Sequence, residues 1–192
     1  MGRKHGYVYF EADCVGMFVN PFINLNLENP SLQGMKQKPL KGLTKDTIKA
    51  LENGNELFEA ISQGKFDGIE EKFRPTLEVV SKTILKQRKR LGGDWSIALA
   101  CFSRSQREML RKILGPDLVF IVLNMTNECQ MKRLAGRHGD GQGEEFTGYL
   151  TKMFEIYEPA ENDEENAYNV KVTEDMTPDD VIQKVLEIVQ NL

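Results

Sequence analysis

The sequence predicts an α/β fold in which a parallel sheet is flanked by helices, and three observations lead to it. Leu118 to Leu123 is an unbroken apolar run, β-branched and aromatic in content and short enough for a strand buried on both faces. Trp95 to Phe102 is a second strand candidate, and Tyr7 to Phe10 a shorter one. Between and after these runs lie stretches with apolar residues three and four apart, the spacing of a helix face. Strands alternating with amphipathic helices make parallel βαβ units with right-handed crossovers, and ligands collect at the carboxyl ends of such strands.

Tyr7 to Phe10 ends in Glu11, Ala12 and Asp13, which puts two carboxylates on one side of the chain. Residues 14–61 read as an irregular and helical insertion. Cys14 to Gly42 mixes Asn, Pro and Gly without a clean period, and Thr44 then caps a helix carrying Ile48, Leu51, Phe58 and Ile61, which stops near Gly64. A second helix tolerates Pro75 in its first turn, lines the core with Leu77, Val80, Ile84 and Leu91, and ends at Gly92 and Gly93. Its other face carries Lys82, Lys86, Arg88, Lys89 and Arg90. That run could hold phosphate or an acidic partner, but cations near a helix C-terminus are favourable in themselves, and it reads first as a solvated face.

After Trp95 to Phe102, Ser103 and Gln106 fit a capping box, Leu110, Ile113 and Leu114 face inward, and Gly115-Pro116 stops the helix. Leu118 to Leu123 leads through Asn124 to Thr126, an N-cap, and to a helix with Met131 and Leu134 on one face. Its tip is basic, with Arg133, Arg137 and His138, and residues 137–146 read as a lid loop, acidic from Asp140 to Glu145. A helix from Phe146 to Tyr157 buries Tyr149, Leu150, Met153 and Phe154, and a charged surface loop from Glu161 to Asn166 precedes a strand around Asn169 to Val172. Thr177, Pro178, Asp179 and Asp180 supply a cap, a first-position proline and an acidic first turn for a last helix that buries Val181, Val185, Ile188 and Val189.

A chain of 192 residues is long enough for one good core, and a single domain over 1–192 is expected. The net charge of -4 argues against nucleic acid or an anionic membrane as a general partner, since both depend on Lys and Arg meeting phosphates. A small anionic substrate in a local basic pocket remains open. Cys14, Cys101 and Cys129 show no metal-site spacing and read as reduced, mostly buried thiols. No apolar run reaches membrane-spanning length, MGRKHGYVYF has no signal-peptide core, and Gly6 stands where myristoylation wants Ser or Thr, so the expected compartment is the cytoplasm.

The strand ends gather Glu11 and Asp13, then Ser103 and Arg104, then Asn124, then Glu174 and Asp175. Carboxylates facing arginines suit phosphoryl transfer: a carboxylate orients the attacking hydroxyl and takes its proton, while guanidinium forks hold phosphoryl oxygens. Asp13 is the candidate base, and Arg133 and Arg137 are the candidate clamps. The plainer readings are a loop-capping carboxylate and a solvated helix C-terminus. A Ser-His-Asp triad, a cysteine nucleophile and a dinucleotide-binding glycine fingerprint find no support in the spacing.

From Trp95 onward the chain resembles the small-molecule kinases of the P-loop superfamily, gluconokinase most closely, with shikimate and adenylate kinases further off. Arg104-Ser105-Gln106-Arg107-Glu108-Met109-Leu110-Arg111 is similar to the family's Y-R-D-x-L-R helix, and Arg133-Leu134-Ala135-Gly136-Arg137-His138-Gly139 to its lid-entry R-L-x-x-R-x-G. Met153-Phe154-Glu155-Ile156-Tyr157-Glu158-Pro159 resembles the Q-F-x-x-L-E-x-P helix beyond the lid, and Phe10-Glu11-Ala12-Asp13 the D-G-D that holds substrate hydroxyls, with Ala12 in place of glycine. The resemblance implies ATP-dependent phosphorylation of a small hydroxylated metabolite with ATP and Mg2+ as cofactors. It also implies that Glu11, Arg104 and Arg107 lie near acceptor or phosphate, and that Arg133 and Arg137 serve the lid.

The family's first strand and its G-x-x-x-x-G-K-[ST] loop would precede Tyr7, where six residues stand, and Gly64-Lys65 is followed by Phe66. The sequence therefore predicts a kinase-like sheet without that strand and loop, as in a shortened form, and impaired transfer by this chain. In the family that strand is central, so two unpaired edges are expected, open to self-association. The alternative is a non-catalytic binding or regulatory protein on the same scaffold, with a protein partner in place of a small-molecule substrate.

Overall fold

The structure, a computed structural model, describes residues 6–12, 56–57, 59–138 and 151–192, with the backbone alone for Glu11 and residues 134–138. Asp13, most of the insertion expected over 14–61, the lid loop from Gly139 and the start of the helix from Phe146 lie outside the described residues. The described part is α/β, with two two-stranded parallel sheets and flanking helices. Its contacts cluster into two compact units, 1–101 with 112–114, and 102–111 with 115–192, so that a single helix contributes residues to each.

In the first unit, strand β1 (Val8–Glu11) pairs in parallel with β2 (Trp95–Ala98), Val8 opposite Trp95 and Glu11 opposite Ala98. The Val8 N–H donates to the Asp94 carbonyl at 2.8 Å and the Ala12 N–H to the Ala98 carbonyl at 2.9 Å, which closes both ends of the ladder. β2 takes up half of the apolar run from Trp95 to Phe102, because a strand extends as far as its partner runs beside it, and β1 has four residues.

Helix α1 (Ile69–Leu91) corrects the expectation for Pro75, which lies in the helix interior and not in its first turn. An interior proline removes one backbone hydrogen bond at a cost of about 3 kcal/mol. Burial of Ile69 and Phe73 ahead of it opposes that cost and draws the start back to Gly68, whose φ of 66° turns the chain in. Leu77, Val80 and Ile84 are buried as expected, but Leu91 is 55% exposed, beyond the last residue that the core covers. Gly92 and Gly93, at φ 65° and 74°, end the helix in a conformation that side chains resist, and the Trp95 Nε1 donates to the Gly92 carbonyl at 2.9 Å. Ala12, Val80 and Ile84 form the buried cluster, against which Phe10, Ile97, Leu99 and Leu114 pack.

The second unit takes most of α2 (Arg104–Leu114), then β3 (Phe120–Asn124), α3 (Asn127–His138), β4 (Ala167–Lys171) and α4 (Pro178–Gln190). β3 pairs in parallel with β4, Phe120 opposite Ala167 and Asn124 opposite Lys171. Burial of β3 on both faces is corrected: it is half-buried along its length and Leu123 is 43% exposed, as befits a strand with one described neighbour. The caps follow the sequence closely. Ser103 accepts the Gln106 N–H at 3.3 Å, while the Gln106 amide oxygen reaches one residue further back than a capping box requires and accepts the Phe102 N–H at 2.8 Å. Thr126 Oγ1 accepts the Cys129 N–H at 3.2 Å. At α4 the box is complete, Thr177 accepting the Asp180 N–H at 3.3 Å and Asp180 the Thr177 N–H at 2.7 Å. No helix among the described residues is long and apolar enough to cross a membrane.

Ile84 is fully buried in the first unit and Leu91 is not. Ile84→Ala is therefore expected to cost about 2–5 kcal/mol in a urea melt, and Leu91→Ala less than about 0.5 kcal/mol. Equal effects would place the core of this unit elsewhere.

Candidate functional site

The carboxyl ends of the strands are where the sequence places its chemistry. Glu11 closes β1 in the first unit, and Asp13 lies outside the described residues. The arginines belong to the second unit, where Arg104, Arg107 and Arg111 follow one another at three- and four-residue spacing along α2, one stripe of a helix. That stripe meets the loop over residues 158–165.

Arg107 is the most buried of the three, 1% exposed, against Glu164 at 2%. Its Nε and Nη2 reach the two Glu164 oxygens at 2.8 and 2.7 Å, a bidentate fork. The remaining donors meet backbone: Nη1 reaches the Glu158 carbonyl at 3.0 Å and Nη2 the Pro159 carbonyl at 3.3 Å. Arg107's hydrogen bonds hold the Glu164 carboxyl below its usual range, against the upward push of burial. Arg111 adds Nη1 to Glu164 at 3.3 Å, hands Nη2 to the Glu165 carbonyl and lies 4.9 Å over the Phe120 ring. The loop is tied to β4 as well, since the Asn169 side chain accepts from the Ala160 N–H at 3.0 Å and donates to its carbonyl at 2.7 Å.

Arg104 lies nearer the surface. Its Nη1 reaches Glu161 at 2.5 Å and Asp163 at 3.0 Å, its Nε reaches Glu108 at 3.2 Å, and these hydrogen bonds, Glu161's first, raise its pKa above the usual guanidinium value. The N–H at the start of α2 is also taken, Arg104 N donating to the Glu158 carboxylate at 2.7 Å. A carboxylate thus occupies the end of the helix dipole where an anion is most favourable.

Arg133 turns back on its own unit, Nη2 donating to the Thr173 carbonyl at 2.9 Å and the Met176 carbonyl at 2.7 Å. It fastens the turn between β4 and α4, beside the Lys132–Glu174 pair at 2.5 Å. Arg137 is on the last turn of α3. The structure therefore brings Arg104 and Arg107 together on one loop, and places Arg133 on another. Sequence reasoning missed Glu164, which sits in a stretch that reads as a charged surface loop. The signal available was the arginine stripe on α2 together with four acidic residues over 161–165.

Comparison with protein-family models, with curated proteins and with solved structures returned no match. Among the described residues no group of three or more His, Cys, Asp or Glu side chains is gathered to hold a metal ion. The 192 residues contain no G-x-x-x-x-G-K-[ST] loop, the motif that cradles nucleotide phosphates and places a hydroxyl on Mg2+.

Two outcomes follow for the buried pair. Glu164→Gln leaves the Arg107 charge buried without its counter-charge and is expected to cost about 3–5 kcal/mol by denaturant titration, whereas Arg104→Ala, at the surface, should cost much less. Because the folded Glu164 pKa is depressed, its contribution is fully present above the unfolded carboxylate value of about 4.3 and is lost as pH falls through the lower folded value. Melting curves should show that acid-side loss in the wild type and a smaller one in Glu164→Gln. Identical pH profiles would overturn the role given to Glu164.

Proposed function

We propose that this chain is a kinase-like phosphotransferase domain, resembling gluconokinase, whose own transfer activity is impaired. In a family member the reaction is ATP-dependent phosphorylation of a small hydroxylated metabolite. The observation that supports this reading is the strand pairing. β1 with β2 and β3 with β4 are each parallel, each is joined through helices, and each forms its own two-stranded sheet. A sheet of this family leaves such a pattern when its central strand, the one that carries the phosphate loop, is not among the strands described.

A second reading, a non-catalytic binding or regulatory protein on the same scaffold, is favoured by a different observation. Each candidate arginine whose side chain is described, Arg104, Arg107 and Arg133, is engaged by carboxylates or carbonyls of its own chain. On this reading the arginines hold loops and the ligand is a protein.

The test is transfer from MgATP by the purified chain to a panel of small polyols and sugar acids, together with thermal shifts. Both readings expect no turnover in the range of about 1–100 per second usual for kinases. Turnover in that range would overturn the impairment. Stabilisation by MgATP without turnover favours the impaired kinase, and stabilisation by a protein partner without any by MgATP favours the second reading.

A further inference from the structure

A cleft of about 490 Å³ in the second unit has an unusual pair of walls. One wall is four consecutive residues of β4, Tyr168 to Lys171. Successive side chains of a strand point to opposite faces, so a cleft that touches four in a row runs along the strand's edge and not over one face. The other wall is Lys184, Glu187 and Ile188, a single stripe of α4 at three- and four-residue spacing, with Asn191 and Leu192 just beyond the helix end.

The ladder shows which backbone groups face this trough. The Phe120 N–H donates to the Asn166 carbonyl at 2.8 Å, and the Val172 N–H donates to the Asn124 carbonyl at 2.8 Å. With the parallel register, those two bonds direct the even-numbered backbone groups from 166 to 172 toward β3. The N–H and C=O of Asn169 and Lys171 point the other way, into the trough, and among the described residues nothing bonds them.

From this geometry we infer that the trough between β4 and α4 binds a short, extended, acidic segment of a partner protein, which adds as a third strand to the edge of β4 that no described strand pairs with. Four residues at about 3.3 Å each span roughly 13 Å of edge, enough for alternate main-chain hydrogen bonds. Charge favours an acidic occupant: Lys171 and Lys184 stand on the two walls against the single carboxylate of Glu187, and neither lysine makes an ion pair among the described residues. Lys184 feels Asp175 and Asp180 without pairing with either. Ile188 and Leu192 offer apolar contact for the alternate side chains. A second copy of this chain fits less well, because its own β4 edge would bring a second Lys171 against the same lysines. The inference does not rest on the kinase-like reading.

The probe is an N-acetylated pentapeptide alternating valine and glutamate, titrated into the full chain and followed by amide NMR shifts and hydrogen exchange. Binding should shift and protect the N–H groups of Asn169 and Lys171, and a peptide with lysine in place of glutamate should not bind. Lys171→Glu with Lys184→Glu, both at the surface, should weaken it about tenfold while leaving the fold intact by circular dichroism. The decisive control is the same peptide N-methylated at alternate amides. Undiminished binding of that peptide, shifts confined to other residues, or absence of binding would each overturn the inference, as would sedimentation showing a dimer that the Lys171→Glu change dissolves.

Discussion

Arg107 and Glu164 are both all but sealed from water, and each is tolerable there because of the other. An isolated buried charge of either sign would cost several kcal/mol, and the attraction between them offsets that cost when the fork is bidentate and the remaining donors are also met. Here they are, by the carbonyls of Glu158 and Pro159. The requirement fixes where the 158–165 loop can lie on α2. Asn169 then reads both backbone groups of Ala160, so the loop's position is passed to β4. A pair of this kind adds little net stability over an apolar pair of equal volume. What it supplies is a single acceptable register, since every shifted arrangement buries an unmatched charge.

The first unit is organised by the opposite device. Its buried cluster of Ala12, Val80 and Ile84 is apolar, and shape and area hold it together. Non-directional packing tolerates local offence, which is why α1 carries Pro75 in its interior while Ile69 and Phe73 are buried before it. Directional pairing would not allow that. The short β1–β2 ladder fits the same picture, since the sheet here serves as a backing for α1.

How much of this could be read from the residues depends on whether the governing interaction is local. Ser103, Thr126 and Thr177 were legible as caps because a cap is decided within four residues, and so were Gly92 and Gly115 as stops. The parallel α/β class was legible from alternating strand and helix patterns. The burial of β3 was not, because an apolar run shows that a strand can be covered, while coverage itself depends on neighbours far away in sequence. Leu91 failed for the same reason. Glu164 was misread because charge runs are normally solvated, and its burial needed the simultaneous presence of Arg107, distant in the chain. The trough beside β4 had no local sign at all, since hydrogen-bond parity is set by register.

The same distinction between shared and sealed charges bears on what the arginines can do. For a phosphate to recruit Arg107, it would have to displace Glu164 and two carbonyls from a buried site and leave a second charge unmatched. No ordinary binding energy from a small anion offsets that. Arg104 differs: its partners Glu161, Asp163 and Glu108 are well exposed, and exposed pairs are worth about 0–1 kcal/mol each, so an incoming anion could exchange for them. Arg133 stands between, because releasing it frees two carbonyls of the turn before α4. Of the three arginines, one is therefore held for structure, one for a turn, and Arg104 alone is exchangeable. Among the described side chains, a site built on this one exchangeable guanidinium can bind a carboxylate or a phosphate, while spreading the charge of a phosphoryl transition state takes several fixed cations.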